Sequence, residues 1–345
     1  MLNIKIFVNC RTDRLSGHTI TYKSTGATTL GVAGTFSYAQ GTDDRADVTF
    51  NRFNSIIKNL TATGEIKNVK LALDYTYVTE AVDTSTLFAG LVMINNGLVQ
   101  GVEVTEMKVK VPTEIVSLFA VSGIVGINYA TVKECGLNTT EAIEIENTQT
   151  PEQILLFGGS VGFNVGNDAK IQLCYVSATT KVNVRLTRSG NGIAQAGGIA
   201  ISNFSGSIVA SGNSGNVIAT SFNGTAYAAG TVVYSNGGSV YDCYNVGNVK
   251  GGEGYIGGVA YFLDSNIANL VGVGSISGET KISNFHIAGV FSGTKEATCY
   301  TRYDIGQTVV ASALTSSRNF TTKLVGVTMV VSVSGSTYSI TFTKA

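Results

Sequence analysis

The stretch GGSVYDCYNVGNVKGGEGYIGGVAYF, residues Gly237–Phe262, decides the fold. It contains two Gly-Gly steps that lead into short apolar runs, a cysteine between two tyrosines, and then Val-Gly-Asn-Val. Forty residues upstream, GGIAISNFSGSIVASGNSGNVIAT from Gly197 follows nearly the same grammar. A glycine opens each apolar run at Gly90, Gly123, Gly159, Gly198, Gly230 and Gly258, with spacings of 33, 36, 39, 32 and 28 residues. The runs read GLVMIN, GIVGIN, GSVGFN, GIAISN, GTVVYSN and GVAYFLD, and each ends on a turn residue: Asn95, Asn128, Asn164, Asn203, Asn236 and Asp264.

After the turn, every copy carries an aliphatic residue, two spacers and a residue of buried type. These are Val99 and Val102, Val132 and Cys135, Ile171 and Cys174, Ile208 and Ser211, Val240 and Cys243, and Ile267 and Leu270. The same word appears outside the anchored copies at Ile57–Leu60, Ile66–Val69 and Ile282–Phe285. A unit this short cannot bury its apolar side alone, whereas stacked units bury a continuous core. The pattern predicts an all-β chain folded as a β-solenoid, a parallel β-helix, with like positions in ladders about 4.8 Å apart. Glycine is expected at corners with positive φ, and asparagine tolerates the left-handed region there. Three sections follow: a strand-rich cap or lead-in over 1–50, the repeat solenoid over 51–301, and a C-terminal hairpin over 302–345 that caps an end or joins another chain.

Composition agrees. Of 345 residues, 41 are Gly, 2 are Pro and none is Trp. Glycine in a helix interior costs about 1 kcal/mol relative to alanine, so the balance favours strands and turns. Lys+Arg and Asp+Glu are 23 each, which removes the basic excess that nucleic acid or an anionic membrane surface demands. Charged residues are 13 % of the chain, so surface polarity falls to Ser, Thr, Asn and Gly. No run of ~18 apolar residues is present, so no membrane-inserting helix is expected. The opening MLNIKIFVNCRTDR alternates at Leu2, Ile4, Ile6 and Val8, which reads as a strand rather than a signal peptide. Either the chain is not exported by that route, or a leader or larger parent precedes it.

The phrases SGIVGINYATVKECG (122–136) and AGTVVYSNGGSVYDCYNVGNVKG (229–251) resemble the GLUG motif, which occurs in tandem in large bacterial surface and adhesin-type proteins. The likeness spans about two-thirds of the chain and is specific as a repeat type. It implies a β-helix-like extracellular architecture and no conserved chemistry. The copies depart from the motif by inserts after Val111, Glu144 and Val184.

Candidates for chemistry are sparse. The five cysteines, Cys10, Cys135, Cys174, Cys243 and Cys299, form no C-x-x-C and no Cys/His cluster. Cys135, Cys174 and Cys243 share the repeat position of Val102 and Leu270, so they are expected as small reduced core residues; a Cys135–Cys174 pairing is the alternative. His18 and His286 are the only histidines available to a nucleophilic triad, and neither sits in one. Glu134, Glu141, Glu144, Glu146 and Glu152 make an acidic run; Glu144 and Glu146 alternate with Ile143 and Ile145, the signature of a strand with one solvated side. Asp43, Asp44 and Asp47 surround Arg45 and read as a polar loop. GNGIAQAGG and SGNSGNV lack the Lys-Ser/Thr and following helix of a phosphate cradle. The sequons at Asn59, Asn138, Asn203, Asn223 and Asn319 fit chance in an Asn/Thr-rich solenoid. Tyr129, Tyr234, Tyr241, Tyr244 and Tyr261 form either an exposed row for a sugar or partner, or core positions. No catalytic, cofactor-binding or metal-binding residue is therefore assigned, and no cofactor.

The leading expectation is a structural or adhesive surface protein, extracellular or at the cell surface: a rigid rod, or a subunit of a fibre or assembly. Its partner would be a second copy or another surface protein. The alternative is a carbohydrate-binding or polysaccharide-cleaving β-helix of lyase or tailspike type, which needs carboxylates and aromatics clustered on one lateral face. Ice binding ranks last, because Thr does not recur at one repeat position.

Overall fold

In each copy the chain meets a glycine it cannot replace, turns sharply, runs out to an asparagine, bends, and turns again at a left-handed corner. In the computed structural model this path repeats as a parallel β-helix. The structure describes residues 19–23, 32–38, 48–75, 85–109, 111, 118–147, 153–187, 190–252, 255–268, 270–272, 274–277, 288–291, 299–301, 308–310, 327–334 and 337–344. No helix is present among the described residues.

Each coil contributes strands to up to four faces. The first face precedes the anchor glycine: Thr86–Ala89, Leu118–Ser122, Ile154–Gly158, Ile193–Gly197, Thr225–Ala229 and Ile256–Gly257. The second follows it and bends midway, as in Val125–Asn128 and Thr131–Lys133, or Ala200–Phe204 and Ser207–Val209. The third holds Glu103–Val109, Gly136–Leu137, Tyr175–Val176, Gly212–Asn213, Tyr244–Asn245 and Leu270–Gly272. The fourth holds Ile143–Asn147, Lys181–Leu186, Asn216–Ser221, Asn248–Lys250 and Ile276–Ser277.

The repeat spacing is the hydrogen-bonded register. Val92, Val125, Val161, Ala200, Val232 and Ala260 pair in succession, each two residues after its anchor glycine. Ile57 pairs with Val92 at one end and Ala260 with Ala288 at the other. Two expectations need correction. Ile57–Leu60 is not a copy of the word at Val99–Val102; it takes the place of Val92–Asn95, and Ile66 alone pairs with Val99. The described residues after Glu144 and Val184 are not inserted: they complete the strands Ile143–Asn147 and Lys181–Leu186, which pair in register in the fourth face, while 112–117, 148–152 and 188–189 lie outside the described residues.

Gly101, Gly166, Gly237 and Gly238 have the expected positive φ, but the anchor glycines work differently. None of Gly90, Gly123, Gly159, Gly198 and Gly230 has positive φ. A Cβ on each would overlap the carbonyl oxygen of the next coil's anchor, as Gly198 would with Gly230 and Gly230 with Gly258. The glycine before the anchor, Gly158 or Gly197, would instead strike the carbonyl of its own coil three residues on, Val161 or Ala200. Coils that lack this second glycine carry Ala89, Ser122 or Ala229 there, all fully buried. The Gly-Gly step is thus a steric device for a sharp turn stacked on itself.

Positive φ occurs in the bend of the second face, at Gly166, Ser205, Gly237 and Gly238, and recurs in coil after coil at the second spacer of the core word. Asn68, Gly101, Glu134, Leu173, Ala210 and Asp242 occupy this corner in successive coils with φ of 55, 65, 56, 53, 49 and 55°. The corner amide bonds across to the next coil, for example Leu173 N to Val209 O at 3.1 Å and Ala210 N to Tyr241 O at 3.0 Å. The left-handed region costs an L-residue about 1–2 kcal/mol, while glycine gives back about 0.4–1 kcal/mol in unfolded-chain entropy. Ala210→Gly is therefore expected to raise stability by about 0.5–1 kcal/mol. Denaturant unfolding checks it; a loss would show that stacking, not backbone strain, governs this corner.

At the N-terminal side, Thr19–Lys23 pairs parallel to Lys70–Tyr75, and Val32–Tyr38 pairs antiparallel to Val48–Asn54. At the other end, Val327–Ser334 and Thr337–Lys344 form the expected hairpin, with Val333 opposite Tyr338. Thr308–Val310 adds a third antiparallel strand. Residues 1–18, and with them the strand expected at Leu2–Val8, lie outside the described residues, as does Ile282–Phe285.

Candidate functional site

The core word builds the lumen. Val99, Val102, Val132, Ile171, Ile208, Val240 and Leu270 are fully buried, and Cys135, Cys174, Ser211 and Cys243 share the column of Val102 and Leu270. The three cysteines are free thiols. The Sγ of Cys135 donates to Lys133 O at 3.2 Å and that of Cys243 to Tyr241 O at 3.2 Å. Burial pushes the thiols of Cys135 and Cys243 well up from the ordinary range, which disfavours the nucleophilic thiolate. Native-state alkylation mapped by mass spectrometry is expected to spare Cys135, Cys174 and Cys243 until denaturant is added; rapid labelling of any of them would contradict this column.

A second apolar layer lies outside the lumen, where the first and second faces meet at the anchor glycine. Leu87, Ala89, Met93, Leu118, Ala120, Ile127, Leu156, Phe163 and Ile201 form one buried cluster. Tyr227, Val233, Tyr234 and Tyr261 form another, with Tyr255 and Phe262 partly buried against it. Tyr227 stands 5.7 Å from Tyr234 and 4.9 Å from Tyr261, ring centre to ring centre. This seam is the second core of the coil. Side-chain volume crosses the first face along the axis. Inward positions run Phe88, Val121, Phe157, Ala196, Ala228, while outward positions run Leu87, Ala120, Leu156, Gln195, Tyr227. In the coils where the inward residue is Ala196 or Ala228, the outward one is Gln195 or Tyr227.

The exposed-aromatic reading therefore fails for most of its residues. Tyr234, Tyr244 and Tyr261 are buried, Tyr241 is half-buried, and Tyr129 alone of the five is exposed, at 39 %. Phe222, at a corner between the fourth and first faces, is the most exposed large hydrophobic among the described residues.

Polar side chains make a third layer. Asn95 Nδ2 donates to Asn128 Oδ1, Asn128 to Asn164, and Asn164 to Asn203, each at 2.7 Å. Asn203 then donates to Ser235 Oγ at 2.9 Å, and Ser235 exchanges a bond with Ser265 at 2.7 Å. The row thus continues through serines; of the residues expected as its last members, Asn236 stands one place beyond Ser235 and Asp264 one place short of Ser265. A second row joins Asn213 to Asn245 at 2.8 Å on the third face. Asn203 is fully buried in the first row, so its sequon is closed in the folded chain. Asn138 and Asn223 are exposed and Asn59 is half-buried.

The acidic candidates are dispersed. Glu144 accepts from Asn183 Nδ2 and Arg185 Nη2, both at 2.6 Å, on the solvated side of the fourth face. Glu146 is exposed on the same strand. Half-exposed pairs of this kind contribute about 0–1 kcal/mol. Glu134 sits at a left-handed corner and accepts from Gln100 at 3.1 Å. Glu141 faces Lys108 at 3.7 Å. Glu103, unremarked in the sequence, gathers the Tyr175 hydroxyl at 2.8 Å and Asn138 Nδ2 at 3.3 Å; burial first, then this bond, pushes the Tyr175 phenol up. Nothing in the sequence marks Glu103, because its partners lie one and two coils away.

In SGNSGNV the backbone amides are already engaged: Ser214 N with Val176 O, Gly215 N with Asn213 Oδ1, Asn216 N with Thr180 O. No group of three or more His, Cys, Asp or Glu side chains that could hold a metal occurs among the described residues. His18, His286, Asp43, Asp44, Arg45, Asp47, Glu152, Asn319 and Cys10 lie outside the described residues, as does the side chain of Cys299. No protein-family model, no curated protein and no solved structure matches this chain.

Proposed function

We propose that the chain is a structural or adhesive β-solenoid, a stiff rod or a subunit of a fibre or assembly, working at the cell surface or outside the cell without catalysis. The observation that carries this reading is the direction of its buried polar bonds. From Asn95 to Ser265, side-chain hydrogen bonds run along the stacking axis from coil to coil. Such a row ties neighbouring coils together and resists shear between them. The described carboxylates are scattered and the seam tyrosines are packed inside, which gives a saccharide no ready lateral platform. The GLUG-like grammar of 122–136 and 229–251 supports a surface setting, with a second copy or another surface protein as partner.

Electron microscopy and sedimentation of the purified chain test the reading, together with a glycan panel. Elongated particles or end-to-end assemblies, and no release of reducing ends, are expected. Cleavage of a polysaccharide that is abolished by Glu144→Gln or Glu146→Gln would replace the reading with the enzymatic one.

A further inference from the structure

The seam changes character at one rung. Along its outward first-face positions, Leu87, Ala120 and Leu156 are followed by Gln195 and then Tyr227. Along the facing second-face positions, Ile94, Ile127 and Phe163 are followed by Ser202, then Tyr234 and Phe262. Tyr227 and Tyr234 face each other across the seam at 5.7 Å. Gln195 pairs in register with Tyr227, and Ser202 with Tyr234, so the two polar residues face each other one rung away. Both are 0 % exposed. Neither amide atom of Gln195 and not the hydroxyl of Ser202 has a hydrogen-bond partner within the protein.

Three orphaned polar atoms in one apolar seam are costly. Each buried, unsatisfied group loses about 1–3 kcal/mol, yet this rung sits between two well-packed clusters. A serine stands where the neighbouring coils carry Phe163 and Tyr234, so the side chain at this rung is much smaller than on either side. Gln195 offers two donor hydrogens and an acceptor, and Ser202 one donor hydrogen and an acceptor. A water molecule needs two to four polar partners and little more than its own volume.

We infer that the Gly198 coil holds an internal water site in the seam, with one or two water molecules bridging the Gln195 amide and the Ser202 hydroxyl. The bridge holds the first and second faces together where the apolar seam is interrupted. It also fixes register: a slip of either face by one rung would set an unbridged glutamine against Phe163 or Tyr234. The inference is independent of the surface role proposed above.

A high-resolution crystal structure of the unmodified chain tests it directly. Ordered water within about 2.7–3.2 Å of both Gln195 and Ser202 is expected. A direct Gln195–Ser202 bond with no water, or density for a larger molecule, would overturn the inference. A double-mutant cycle with Gln195→Leu and Ser202→Ala gives a second readout. Because one bridge serves both residues, the two changes are expected to be non-additive in unfolding midpoint, the double variant recovering most of the loss seen in the singles. Additive effects would also overturn it. Leucine already occupies this column at Leu156, so folding of the variants is expected.

Discussion

Gly198→Ala is expected to destabilise the solenoid by at least about 3 kcal/mol, the upper end for overpacking, although it adds a single methyl group. The added Cβ would overlap the carbonyl oxygen and carbon of Gly230. The obstacle is backbone in the next coil, so no rotamer change relieves it. That carbonyl belongs to a stacked column: Gly159 would meet Gly198, Gly198 would meet Gly230 and Gly230 would meet Gly258. Moving one coil away to make room lengthens bonds such as Gly198 N to Ala229 O, now 3.0 Å, and Ile199 N to Thr231 O, now 2.9 Å. The loss therefore spreads along the axis. Ser205→Gly is the control. Ser205 is exposed and has φ 61°, so glycine there relieves strain and is expected to leave stability within about 1 kcal/mol. Equal urea midpoints for Gly198→Ala and Ser205→Gly would show that the anchor glycines are not the close-packed positions.

Much of the architecture is legible in the sequence because a solenoid turns linear spacing into register. Counting from glycine to glycine amounts to counting coil lengths, and Val132, Ile171, Ile208 and Val240 stack as their spacing implies. The hairpin register at Val333 and Tyr338 is equally local, set by a two-residue loop. What spacing cannot carry is the reason for a residue. Glycine at Gly198 suggests positive φ, yet the obstacle it avoids is an atom 32 residues away in sequence. Conversely Leu173 and Ala210 hold left-handed corners with no residue type to mark them, because stacking on the neighbouring corners overrides local preference. The row holds through Asn203 and then departs from the asparagines: Ser235, five residues after Gly230 as Asn203 is after Gly198, is the residue in register, and Asn236 stands one place beyond it. The seam had a signal. TLFAGLVMIN and LFAVSGIVGIN are apolar without alternation on both sides of the glycine, the mark of strands buried on both faces. A one-core coil would alternate.

The second large effect is expected from Asn164→Leu, in the middle of the asparagine row. Asn164 is fully buried, accepts from Asn128 at 2.7 Å and donates to Asn203 at 2.7 Å. Leucine has similar bulk and neither function. Asn128 Nδ2 keeps a bond to Ala130 O at 3.0 Å, so it is partly rescued. Asn203 Oδ1 loses the donor above it, and a buried orphaned acceptor costs about 1–3 kcal/mol. The leucine must also lie against the polar edges of both neighbours, and the carbonyl oxygens of Ala169 and Ser207 lose their longer contacts with its amide at 3.5 and 3.4 Å. The sum expected is about 3–5 kcal/mol, the range for breaking a buried polar network. Position along the row then separates a network from isolated pairs. Asn203→Ser copies what the next coil already uses at Ser235, and a hydroxyl can both accept and donate, so its loss should be much smaller. Asn95→Leu removes an end member that donates to Asn128 and accepts from Gly97 N, and should fall between the two. If chemical unfolding ranks the three as Asn164→Leu, Asn95→Leu, Asn203→Ser, the row acts as one chain of bonds that binds coil to coil. Equal losses at Asn95 and Asn164 would reduce it to independent turn contacts, and would take with it the main physical support for a stiff structural rod.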